Sequence, residues 1–201
     1  MAYLPCMDHR SAADHPMIRA LQPFGPLTPQ AAEALAGITE RHVLPKGHHL
    51  LRLWQVQRQF YFIEKGAGRV YYLHDGQDVS DYFALDNQFL GGLESLFTRQ
   101  PSHKAIELLE DSIVHAYAYD AFETLCAEYH EIERLGRRMA TYAFLQGQRR
   151  VESIRFLSAA ERYAELEKTH PGISNRIPLK HLASFLGITQ VSLSRIRSGQ
   201  Q

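Results

Sequence analysis

Near residue 120 the apolar residues change their spacing, and that change divides the chain into two kinds of structure. From about 40 to 120, short apolar runs alternate with turn signals: "HHLLRLW", "QFYFIEKG", "GRVYYLHDG", "DVSDYFA" and "KAIELLEDSIVHAYAYD". Between "RVYYL" and "DVSDYF", the pair Asp75-Gly76 predicts a two-residue hairpin, because both central residues of such a turn favour positive φ. Gly47 and Gly66 punctuate the same stretch. Many short strands at this spacing predict an antiparallel, jelly-roll-like β-roll.

Beyond 121 the steps are of three and four. Ile132, Leu135, Met139, Tyr142 and Leu145, then Val151, Ile154 and Leu157, form an apolar stripe along a long helix, with Arg134, Arg137, Arg138, Arg149 and Arg150 elsewhere on the cylinder. Attached to a roll, such a helix covers only part of its stripe within its own chain. The remainder is expected to pair with the same helix of a second copy, giving a two-fold dimer; the alternative is a helix packed wholly on its own domain. "SAAE" at 158–161 reads as a capping box, Ser158 at N-cap and Glu161 at N3, which puts a hinge near Phe156 to Ser158. Three regions follow: a roll over 1–128, a dimerisation helix over 129–157 and a helical unit over 158–201.

Charge sharpens the reading of the last region. The chain has 22 basic and 22 acidic residues and is formally neutral. Beyond Glu167, however, there is no acid, while Lys168, Arg176, Lys180, Arg195 and Arg197 remain. A basic tail on a neutral protein is the footprint expected for contact with a polyanion, because each cation that meets a phosphate releases counterions. With 45% hydrophobic residues the chain can bury a core. No apolar run approaches the roughly 18 residues of a membrane span, and "MAYLPCMDHR" lacks the layout of a signal peptide. A cytoplasmic protein without membrane contact is expected. Cys6 and Cys126 form no CxxC pair and read as ordinary thiols.

The tail's motif is "IPLKHLASFLGITQVSLSRIR". Pro178 suits the first turn of a helix running to about Phe185. Gly187 can stop it in the left-handed conformation, and Thr189 can cap a second helix from Gln190 to Arg197. Ala183 is small where two crossed helices approach, while Leu179, Leu182, Leu186, Ile188, Leu193 and Ile196 supply the shared apolar contact. This is the spacing of a helix-turn-helix, whose second helix enters a major groove. Gln190, Val191, Ser194 and Arg195 then face outward, with Arg195 placed for a bidentate contact to guanine. Thr189, Ser192, Lys180 and Arg197 suit phosphates.

The order of parts resembles the Crp/Fnr family of bacterial transcription regulators over roughly residues 20 to 197. The resemblance is carried by "LPKGHHLL", "YFIEKGAGRVYYL", "FLGGLESLFTRQPSHKAIELLEDS" and the helix-turn-helix, whose details are most similar to Bacteroidetes-type members. It implies an α+β fold: a cyclic nucleotide-binding-like roll, a long dimerisation helix and a C-terminal DNA-binding unit with little or no wing, since only "SGQQ" follows. It also implies a homodimer on the inverted-repeat operator of double-stranded DNA, a roll that either senses an unidentified small-molecule effector or serves only as scaffold, and no enzymatic activity.

At the effector site the chain departs from the family. Cyclic nucleotide-binding members place a Glu on the ribose hydroxyl and an Arg on the cyclic phosphate. Those positions fall here on Gly92 and near Ser102, so both charged groups are missing and ordinary cyclic AMP binding is not expected. The pocket candidates are Gly91, Gly92, Glu94, Ser95, Arg99, Ser102, His103 and Lys104, with Arg99, His103 or Lys104 as a substitute cation for another anion. Two cysteines cannot hold an iron–sulfur cluster. His48 and His49 point to opposite faces of a strand, and no His-x-His with a nearby Glu suggests a cupin metal. No metal or other cofactor is expected. A second reading stays open: a small-molecule-binding roll whose helix-turn-helix no longer reads DNA, since Val191 stands where the family usually has a polar base-reading side chain.

Overall fold

Eight strands form two four-stranded antiparallel sheets packed face to face: β1 (Glu40–Leu44), β2 (His49–Leu51), β3 (Gln59–Lys65), β4 (Gly68–His74), β5 (Gln77–Ala84), β6 (Gln88–Leu90), β7 (Lys104–Leu108) and β8 (Ser112–Ala118). The strand orders are β1-β8-β3-β6 and β2-β7-β4-β5. The computed structural model describes residues 12–199. At the predicted hairpin, His74 pairs with Gln77 across Asp75 (φ 50°) and Gly76 (φ 76°). Gly66 admits no side chain: at φ 115° its Cβ would lie 2.1 Å from Ser112 Oγ and 2.9 Å from Ser112 Cα.

Helices cover both outer faces. Ahead of the roll come α1 (Pro16–Leu21) and α2 (Pro29–Gly37), and α3 (Leu93–Thr98) interrupts it between β6 and β7. After it come α4 (Tyr119–Glu128), α5 (His130–Phe156), α6 (Ala159–Thr169), α7 (Ile173–Arg176), α8 (Leu179–Leu186) and α9 (Gln190–Arg197). The composition of β3 follows from this layering. Tyr61 and Ile63 join Val70, Leu90, Ile106 and Val114 between the sheets, while Phe62 faces the helical layer with Met17, Leu35, Tyr117, Ile132 and Leu135. A strand buried on both faces reads as a continuous apolar run rather than an alternating one. The third core belongs to the C-terminal helices: Leu166, Ile173, Ile177, Leu182, Ala183, Leu186 and Leu193 pack with Phe83, Leu85 and Leu109 of the roll.

Where the sequence reads one helical period from 121 onward, the chain breaks at Tyr129, whose extended backbone (φ −120°, ψ 105°) separates α4 from α5. The stripe of α5 then divides. Ile132 and Leu135 are buried in the chain's own core and Met139 is partly so, whereas Tyr142, Leu145, Val151 and Ile154 are exposed, as are Phe144 and Phe156. Past Leu157, the C-cap of α5, Ser158 Oγ accepts from the Glu161 N–H and the Glu161 carboxylate from the Ser158 N–H, the capping box that opens α6. Cys126 is a free thiol, half-buried, with its pKa pushed up to about 11 by burial and then by Glu123 and Glu133; Cys6 lies outside the described residues.

Candidate nucleic-acid interface

The turn between α8 and α9 is built by its backbone. Gly187 sits at φ 67°; its N–H donates to Ser184 O at 3.2 Å, and the Ile188 N–H donates to Ala183 O at 3.0 Å. This paired arrangement closes a helix around a left-handed residue and brings the apolar Ile188 back over the last turn. Two residues later Thr189 caps α9, its Oγ1 accepting from the Ser192 N–H at 3.1 Å. Leu182, Ala183, Leu186 and Leu193 are buried between the two helices.

Gln190, Val191, Ser194, Arg195 and Arg197 are all exposed on α9, and Lys180 is exposed in the first turn of α8. Lys180, Arg195 and Arg197 make no ion pair among the described residues. The hydroxyls of Thr189 and Ser192, expected to meet phosphates, bond each other at 2.9 Å, and Thr189 Oγ1 also serves as the cap. The basic tail also needs correction, because it does not present five available cations. Arg176 is held inside the fold, with NH1 2.6 Å from Asp86 Oδ2, NH2 2.6 Å from Glu110 Oε2 and NH2 2.9 Å from Gly66 O. Lys168 lies 3.9 Å from Glu165. Sequence distance hid the partners of Arg176, which are contributed by three roll loops.

The other face of α8 is docked on the roll around a buried arginine that the sequence reading missed. Arg69 of β4, 3% exposed, donates to Asp78 Oδ1 and Oδ2 (3.0 Å each), to Glu107 Oε2 (2.8 and 3.0 Å) and to His181 Nδ1 of α8 (2.7 Å), with the Tyr71 ring 4.1 Å away. A guanidinium can only donate, so His181 must be neutral with its proton on Nε2. Burial, and then Arg69, lower its pKa to about 4. Beside it the Ser80 N–H donates to Ser184 Oγ at 3.1 Å, and the Phe83 and Phe185 rings lie 5.2 Å apart. Two further arginines hold the carbonyl end of α8: Arg150 of α5 donates to Phe185 O at 2.7 Å and lies over its ring, and Arg162 of α6 donates to Leu186 O at 3.0 Å. Cations suit that end of a helix, where carbonyls are unpaired and the dipole is negative.

The cassette around α3 is closed by its own chain. Gln57, 1% exposed, accepts from the Gly92 N–H at 3.2 Å through Oε1, and its own N–H donates to Ser95 Oγ at 2.9 Å. Ser102 exchanges backbone bonds with Gln55 and Trp54. Each candidate substitute cation has a carboxylate beside it: Arg99 bonds Asp120, His103 Nδ1 lies 3.7 Å from Glu94, and Lys104 Nζ lies 2.7 Å from Asp81. An external anion would therefore compete with a carboxylate at each of the three. A Cβ at Gly91 would lie 3.2 Å from Gln57 Nε2. An open depression of about 400 Å³ lies beside the same loop, lined by Leu50, Leu51, Gln57, Arg58, Tyr61 and Asp120 among others, and none of the eight cassette candidates lines it. Among the described residues no group of three or more His, Cys, Asp or Glu is placed to hold a metal ion, and no helix is long and apolar enough to cross a membrane.

Residues 41–129 match the cyclic nucleotide-binding domain family. No curated protein matches the chain. Among solved structures it is similar to FixK2 from Bradyrhizobium japonicum, at 17% identity and TM-score 0.68, over 81% of this chain and 84% of that one. It is similar to the catabolite activator protein of Thermus thermophilus, at 18% identity and TM-score 0.56, over 90% and 85% of the two chains. A protein from Eubacterium rectale described as a transcriptional regulator of the crp/fnr family matches at 16% identity and TM-score 0.65, over 89% and 88%. At these identities the likeness shows the fold: an antiparallel domain of the cyclic nucleotide-binding type followed by a helical region, an α+β Crp-like arrangement.

Proposed function

We propose that this chain is a DNA-binding transcription regulator of the Crp/Fnr type, a cytoplasmic homodimer that binds an inverted-repeat operator with one α9 per half-site and catalyses no reaction. The observation that carries the reading is the exposed face of α9: Gln190, Val191, Ser194, Arg195 and Arg197 project together from a capped helix, and no acid follows Glu167 in the sequence. Base edges are read by Gln190, Ser194 and Arg195, and phosphates by Lys180 and Arg197. The exposed stripe Tyr142, Leu145, Val151 and Ile154 supplies the dimer seam. The self-closed cassette, lacking both charged groups of a cyclic nucleotide site, supports a roll that does not respond to cyclic AMP.

Fragments of the source genome, bound at rising salt, test the reading. A dimer making about four to eight phosphate contacts should lose orders of magnitude in affinity between about 50 and 200 mM salt. Leu145→Asp with Ile154→Asp should sediment as a monomer and lose operator binding. Salt-indifferent binding without fragment enrichment would favour the alternative, a ligand-binding roll whose helix-turn-helix no longer reads DNA.

A further inference from the structure

The helices from Ala159 onward hide their large apolar side chains with one exception. Leu166, Ile173, Ile177, Leu182, Leu186 and Leu193 are buried, and Tyr163, Leu179, Phe185 and Ile188 are packed against them. Val191 is 63% exposed, the only large hydrophobic side chain so exposed among the described residues of this unit. A lone apolar residue on a surface ordinarily needs no explanation. Its position is what matters here. Val191 is in the first turn of α9, four residues before Arg195, so the two side chains share one face of the helix. Gln190 and Ser194 flank them, and both are exposed.

We infer that Val191 is a specificity-determining residue that reads the 5-methyl group of a thymine close to the guanine contacted by Arg195. This rests on the DNA-binding reading above. An isopropyl group has no donor or acceptor, so it cannot recognise the hydrogen-bonding edge of any base. The one apolar group that base pairs present in the major groove is the thymine methyl. One helical turn rises about 5.4 Å and successive base pairs about 3.4 Å, which places the two contacted pairs about one to two steps apart. The pair Val191 and Arg195 therefore selects a half-site in which a thymine and a guanine stand adjacent or one pair apart.

The test replaces each thymine of a selected, symmetric operator by uracil, which removes the methyl and leaves every hydrogen-bonding group in place. One position per half-site should weaken the wild-type protein about fourfold, and about fifteenfold when both half-sites are changed, as expected for a lost methyl contact. Val191→Ala, whose single methyl reaches less far, should discriminate thymine from uracil operators less than the wild type does. Val191→Glu should shift the selected base at that position from thymine towards cytosine, whose amino group a carboxylate accepts from. If uracil at every position leaves wild-type affinity within twofold, or if Val191→Ala keeps the discrimination, the methyl contact is wrong while DNA binding stands. If no fragment is enriched at all, the DNA-binding reading fails and takes this inference with it.

Discussion

In the cassette, Arg99 meets Asp120, His103 lies 3.7 Å from Glu94 and Lys104 lies 2.7 Å from Asp81, whereas on α9 Arg195 and Arg197 meet no carboxylate among the described residues. The two regions carry similar cations in opposite electrostatic states. A cation is available to an external anion only if the fold has not already supplied one, and residue type alone does not reveal which holds. In the tail the answer can be read early, because a stretch with no acid cannot neutralise itself locally. In the cassette it cannot, since Asp81 and Asp120 come from other elements. Arg176 shows that even the tail needs the fold: Asp86 and Glu110 come to it from the roll.

The largest effect that would break this contrast is on the recognition side. Arg195→Ala should abolish sequence preference while leaving the dimer intact. A lost bidentate base contact is worth about 1–3 kcal/mol per half-site, so a two-fold complex should lose about 2–6 kcal/mol of discrimination. Selection of bound fragments by the variant is the measurement, and an unchanged motif would remove Arg195 from the reading surface.

Next in size is the buried arginine that joins the two regions. Arg69→Met would leave Asp78 and Glu107 facing each other without their shared cation and take the donor from His181. Because both carboxylates are partly exposed, the expected loss is about 2–4 kcal/mol, below that of a fully buried pair. Thermal unfolding measures it. If Arg69→Met melts like the wild type, the docking of α8 on β4 and β5 does not hold the helix-turn-helix in place.

Much of this architecture was legible in the sequence, and the gaps have physical causes. The hairpin at Asp75-Gly76, the Ser158 capping box, the Gly187 stop and the Thr189 cap depend on residues within a few positions of one another, and each occurs where its local chemistry puts it. The contacts that dock α7 and α8 join residues far apart: Asp86 with Arg176 of α7, and Arg69 with His181 and Ser80 with Ser184 of α8. Nothing near His181 in the sequence announces a buried partner. Gln57, which closes the cassette onto Gly92 and Ser95, was missed for the same reason.

Acid should separate the docked face of α8 from its exposed one. His181 is neutral in the fold, with its pKa lowered to about 4 by burial and by Arg69. An unfolded histidine takes its proton near 6.5, so the contribution of this site to stability is complete above about pH 6.5 and is lost as pH falls towards 4. Asp78 acts in the same direction: Arg69 holds its carboxyl below the usual range, and its contribution goes as that lower value is crossed. His15, also lowered to about 4 by burial and then by His115, adds to the same acid limb from the other side of the roll. The melting temperature should therefore fall between about pH 6.5 and 4. His181→Asn keeps an acceptor for Arg69 and takes no proton, so its acid limb should be shallower than that of the wild type. An identical limb would mean that His181 titrates outside the interface.

The smallest expected effect is none, and it tests the cassette side directly. A ligand present at 100 times its dissociation constant stabilises its protein by about 2.7 kcal/mol, a shift in melting temperature of several degrees for a chain of this size. Millimolar cyclic AMP should produce no such shift, because the cassette carries neither the carboxylate nor the guanidinium expected of a cyclic nucleotide site, Gln57 already occupies the Gly92 N–H, and Arg99, His103 and Lys104 each have a carboxylate beside them. A clear rise would mean that Gln57 gives way to the nucleotide and that one of those three ion pairs opens to receive the phosphate. Asp81→Asn, Glu94→Gln and Asp120→Asn would then identify which, since freeing the cation in use should make the rise larger.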